Sequence, residues 1–151
     1  MKNNIKLAVI AVLLGIILGK YIFSQYKEDV IDTMNITNNQ IYIMQYGVYK
    51  NEDNMKENTK DLKNYFYYTD EKGYHVIIGI TTKENLKDKI VDSYNIKSNI
   101  YMKKIQLDNE EFLRLLEQYD SLIEQTTDKD IIVSAEKQIL SKYEEILTDN
   151  E

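Results

Sequence analysis

A chain of 151 residues with a net charge of −6 and no cysteine has room for one domain of ordinary size and an appendage, and excludes disulfides, thiolate catalysis and cysteine-ligated zinc. A hydrophobic content of 43%, with 13 tyrosines against 3 phenylalanines and no tryptophan, describes a foldable chain whose aromatic mass carries polar tips. The acidity argues against general nucleic-acid affinity, and it is concentrated in residues 108–151, where 13 Asp and Glu meet 4 Lys and Arg.

From Leu7 to Gly19 every residue is apolar or glycine, and Tyr21, Ile22 and Phe23 extend the run past Lys20. A helix over 7–23 would be about 25 Å long, enough to span a bilayer. Lys6 and Lys20 can snorkel to the headgroups, and Tyr21 and Tyr26 suit an interface. The reading is therefore residues 1–6 as a cytoplasmic N-terminus, 7–26 as a transmembrane helix and 27–40 as a stalk. A cleavable signal peptide is the competing reading, since Lys2 and Lys6 precede the run, but no small-x-small cleavage site follows it. The N-terminal positive charge favours an exported C-terminal part, which makes a single-pass cell-membrane protein with an extracytoplasmic domain.

Residues 41–49, IYIMQYGVY, are β-branched and aromatic and read as a strand. Asn51 caps a helix predicted to run to about Tyr65, with Met55, Leu62 and Phe66 near helical spacing. Phe66 to Thr69 and Tyr74 to Thr81 form a hairpin around Asp70-Glu71-Lys72-Gly73, whose glycine supplies positive φ. A second helix spans about Thr82 to Tyr94 on Leu86, Ile90 and Tyr94, and residues 99–107 make a fourth strand. The order β-α-β-β-α-β gives an α+β, ferredoxin-like fold with two helices on one face of a four-stranded sheet and the other face open. Asp108 and Glu111 form a capping box before a third helix on Phe112, Leu115, Leu116, Tyr119 and Ile123. A fourth helix from about Asp128 carries Ile132, Ala135, Ile139, Tyr143 and Ile146, so residues 108–147 read as a C-terminal helical hairpin turning near Thr126-Thr127.

The segment Ile43-Met44-Gln45-Tyr46-Gly47-Val48-Tyr49 resembles the first-strand signature of SPOR (sporulation-related repeat) domains, a Gln-x-Gly-x-aromatic motif entering a helix. Tyr74-His75-Val76-Ile77-Ile78-Gly79 is similar to that family's third-strand Tyr-Arg-Val-x-Val-Gly, and the likeness covers about residues 41–107. The resemblance implies a non-catalytic SPOR-like domain that binds peptidoglycan glycan strands, typically denuded of stem peptides, in division or sporulation. It places the ligand on the open sheet face, where alternation would put Ile43, Gln45, Gly47 and Tyr49 together. Gln45, Gly47, Tyr49, Tyr67 and His75 are then the candidate glycan-binding residues. The amide of Gln45 suits hydroxyl and acetamido groups, and Gly47 would let a saccharide approach the backbone. His75 stands where the family has arginine, and Val48 where it often has serine.

Taken without the resemblance, Gln45 is an exposed strand residue and the tyrosines are amphipathic core edge. The lone His75 has no constellation for metal binding or nucleophilic catalysis. The carboxylate pairs Glu52/Asp53, Glu110/Glu111 and Glu144/Glu145 fall on helix surfaces or caps, where solvation explains them better than glycosidase chemistry. No Gly-rich phosphate loop or nucleophile elbow occurs, so no enzyme activity, cofactor or metal is expected. The alternative function is an extracytoplasmic adaptor, with the apolar stripes of 108–147 docking a protein partner. An RNA-recognition sheet is the remote third reading, opposed by the acidic charge.

Overall fold

The computed structural model describes residues 39–148; the stretches expected to be a cytoplasmic N-terminus (1–6), a transmembrane helix (7–26) and nearly all of a stalk (27–40) lie outside the described residues. Among those described, no helix is long and apolar enough to cross a membrane. Among the described residues four strands and four helices follow in the order β1 (Gln40–Tyr49), α1 (Glu52–Thr59), β2 (Phe66–Asp70), β3 (Gly73–Thr81), α2 (Lys87–Ser93), β4 (Tyr101–Gln106), α3 (Glu110–Gln125) and α4 (Lys129–Thr148). A 3-10 turn, Glu84–Leu86, leads into α2. The sheet is antiparallel with strand order β2-β3-β1-β4.

Local chemistry sets most boundaries. The Asn51 carboxamide accepts the Asn54 N–H at 2.9 Å and starts α1. That helix stops at Thr59, short of the Tyr65 that spacing predicts, because local side chains compete for its last carbonyls: Asn58 donates to Asn54 O and Thr59 to Met55 O. Phe66, which the sequence places both near the helical spacing and at the head of the second strand, begins β2 as the strand reading has it. The β2–β3 loop is tighter than four residues. Asp70 pairs with Gly73 across Glu71-Lys72, the Asp70 carboxylate accepts the Lys72 N–H at 2.8 Å, and Gly73 takes φ +125°. Asn95 ends α2 in the left-handed conformation at φ 57°. Asn109, rather than Asp108, caps α3, accepting the Phe112 N–H at 2.9 Å.

The largest departure concerns the sheet face expected to be open. Every residue of β3 from His75 to Thr81 is buried, and because successive strand residues point to opposite faces, both sides of β3 are covered. The cover includes the chain's own hairpin: α3 and α4 pack against each other and both reach β3. Tyr143 of α4 meets Phe66 of β2 edge-on at 6.1 Å and Phe112 of α3 at 5.7 Å. The stripes that sequence reading leaves in need of a partner are thus spent inside the domain, with Phe112, Leu116, Tyr119, Ile123, Ile132, Ala135, Ile139 and Tyr143 all buried. Leu115 and Ile146 are half-buried.

Two buried carboxyl groups fix the hairpin to the sheet. Since β2 reaches only to Ile77, the outer edge of β3 beyond it would carry unpaired N–H groups. Glu136 of α4 accepts the Ile80 N–H at 3.0 Å, and Asp120 of α3 accepts the Thr82 N–H at 2.8 Å and the Thr81 and Thr82 hydroxyls at 2.7 and 2.6 Å.

Candidate functional site

The five residues singled out in sequence separate into two groups. Tyr67 and Tyr68 are neighbours on β2, as Tyr74 and His75 are on β3, so alternation sends Tyr67 and Tyr74 to one face and Tyr68 and His75 to the other. Gln45 joins the second group. Its carbonyl oxygen lies 3.1 Å from His75 Nδ1. Regular alternation would have kept Gln45 with Tyr49, but the β1–β3 register slips on both sides of Gln45, which pairs with Ile77 while Ile78 and Tyr46 are skipped. Irregular pairing of this kind re-aims a side chain without changing the strand's overall course.

On the His75 side the cluster is closed. His75 is 7% exposed. Its Nε2 lies 2.8 Å from the Asp70 carboxylate, and Tyr68 stacks on it with centroids 4.7 Å apart and planes at 2°. The hydrogen bond to His75, and then that from the Lys72 N–H, holds the Asp70 carboxyl below its ordinary value. Burial, aided by the Asp70 charge, raises the Tyr68 phenol. With both ring nitrogens engaged, His75 has no free nitrogen to take a proton from a substrate. The cluster ties β1, β2 and β3 together at one end of the sheet.

The tyrosine side is partly covered, with Tyr49 and Tyr74 half-buried and Tyr67 exposed. Tyr49 pairs with Tyr74 across β1 and β3, and Tyr74 meets Tyr67 of β2 with centroids 6.0 Å apart and planes at 41°. The three phenols make a row across three strands, with Tyr67 41% exposed. Tyr49 folds back over Gly47: a Cβ at Gly47 would lie 2.7 Å from the Tyr49 hydroxyl oxygen and 2.9 Å from Cζ. The space expected to admit a saccharide at Gly47 is therefore filled by the Tyr49 ring. Burial first, and Tyr46 second, raise the Tyr49 phenol. Tyr74 was not singled out in sequence, although its place opposite Tyr49 and diagonal to Tyr67 follows once the hairpin register is known.

Among the described residues no group of three or more His, Asp or Glu side chains is placed to hold a metal ion. A separate polar cleft lies between the ends of α1 and α2, lined by Tyr46, Asn58, Lys63, Tyr94, Asn95 and Lys97 among others.

Fold and site together define an α+β domain with a four-stranded antiparallel sheet and a tyrosine row at one end of it. No family model, no curated protein and no solved structure matches the chain.

Proposed function

We propose that this chain is a non-catalytic, membrane-anchored extracytoplasmic module that binds glycan strands of peptidoglycan, and that the contact surface is the row Tyr49, Tyr74 and Tyr67. The observation that carries the reading is this row. A pyranose ring presents an apolar C–H face that stacks on a phenol ring, while the phenol hydroxyls meet sugar hydroxyls at the rim. The element order β-α-β-β-α-β and the strand order β2-β3-β1-β4 agree with the ferredoxin-like, SPOR-type arrangement that the two motifs suggest. The N-terminal apolar run supports the anchor. In this reading Gln45 and His75 hold the strands in place and contribute no contact to the ligand.

The test is co-sedimentation of the purified full chain in detergent with sacculi, before and after amidase removes the stem peptides. Retention should rise with stripping. Tyr67→Ala should weaken retention about fivefold, as expected for a stacking contact of about 1 kcal/mol, and Gln45→Ala should leave it unchanged. Loss of retention in Gln45→Ala with Tyr67→Ala unaffected would move the ligand to the other face. No retention of a folded chain on either preparation would end the glycan reading.

A further inference from the structure

The two carboxyl groups that close the β3 edge differ in how well they are satisfied. Asp120 accepts three hydrogen bonds through both oxygens; burial raises its carboxyl above the ordinary value, and those bonds and then the Lys83 charge oppose the shift. Glu136 is 0% exposed; its Oε2 accepts the Ile80 N–H, and its Oε1 is buried with no partner. Its surroundings are apolar, neutral polar or negative, with no cation among the described groups facing it. The Asp120 charge faces it from α3 and the Tyr94 phenol from α2. On the sheet side it lies against Gly79, beside which the Met44 methyl and the Ile90 side chain of α2 also close in. No ion pair reaches it among the described residues.

An ionised carboxylate here would leave a charge out of water, held by one hydrogen bond and repelled by Asp120. Burial accordingly raises the Glu136 carboxyl well above its ordinary value; the Ile80 bond opposes this and Asp120 adds to it. We propose that Glu136 is seated in the fold as a neutral carboxylic acid, and that its proton is the latch that keeps the α3–α4 hairpin on β3. Deprotonation releases the hairpin. The sign follows from proton linkage: the folded state holds the proton more tightly than the unfolded chain. The contribution is complete below the ordinary glutamate value of 4.5 and is lost as pH rises towards the folded-state value. Each pH unit in that window lowers the closing constant by up to about tenfold.

Amide hydrogen exchange on the full chain, from about pH 5 to 9 and corrected for intrinsic exchange chemistry, tests the latch. Amides of α3 and α4 should lose protection with rising pH by up to about tenfold per unit, ahead of those shared by β1 and β3. Glu136→Gln, which keeps a carbonyl for the Ile80 N–H but cannot ionise, should remove the larger part of that slope and leave only the share of Asp120, whose carboxyl burial also raises. An unchanged slope in the variant, a flat wild-type profile, or equal loss across sheet and hairpin would each overturn the proposal. If Glu136→Gln does not fold, Glu136→Met is read in the same way. For the wild type alone, a carboxylic-acid carbonyl band in the infrared at about pH 6, where exposed carboxyls are ionised, is expected, and its absence would also overturn the latch.

Discussion

Gly73 and Gly47 are both pressed by Tyr49, but by different parts of it, and the difference sets what each glycine is worth. At Gly73 the backbone has φ +125°, and an added Cβ would collide with the Tyr49 carbonyl oxygen and lie 3.0 Å from its carbon. Neither atom can move without breaking the β1–β3 pairing at Tyr49 and Tyr74. Gly73→Ala should therefore destabilise the domain by about 2–3 kcal/mol, the cost of a strained backbone added to a clash. At Gly47 the obstacle is the ring end of the Tyr49 side chain, which can swing away, so Gly47→Ala should cost about 1 kcal/mol or less. Urea denaturation of the two variants measures both. Equal losses would mean that the Tyr49 ring is as immobile as its backbone.

At the scale of elements, sequence patterns carried what depends on neighbours along the chain and missed what depends on neighbours in space. The β2–β3 hairpin was legible because turn chemistry at Asp70 and Gly73 is local, and the helices α3 and α4 because their apolar spacing is regular. The face taken by Gln45 was not legible, since a register slip leaves no mark in alternation. Nor was the β3 edge. Asp120 and Glu136 stand on otherwise apolar stripes and look like solvated acids until Ile80 and Thr82 arrive as donors from 56 and 38 residues away. Asp120 acts as a staple between α3 and β3, and Asp120→Ala would strand the Thr82 N–H and free two hydroxyls in a buried position. The expected loss is about 2–4 kcal/mol, more than a typical surface substitution. Asp120→Asn should lose less, because one carbonyl oxygen remains to accept. Thermal melts of the two variants check the order; a loss as small for Ala as for Asn would mean that water takes over the donors.

For the whole molecule, the question is whether residues 108–148 are an appendage on a finished βαββαβ domain or half of its core. Six hairpin side chains, Phe112, Leu113, Leu116, Ile123, Ile132 and Ile139, are at most 2% exposed. At about 1.5–3 kcal/mol each, their burial amounts to about 9–18 kcal/mol, as large as the entire net stability of a typical domain at about 5–15 kcal/mol. On the sheet side, Ile77, Ile78 and Ile80 are consecutive or near neighbours and all are at most 1% exposed, so removing the hairpin would bare apolar surface on β3 together with the edge donors at Ile80 and Thr82. Deleting residues 108–151 should therefore leave a chain that does not unfold cooperatively and that aggregates through the uncovered β3 edge. Circular dichroism melts and size-exclusion chromatography of the truncated chain read this directly. A sharp melt from a monodisperse product would show that the βαββαβ unit is self-sufficient, and the acidic hairpin would then be a removable cover on a sheet that folds without it.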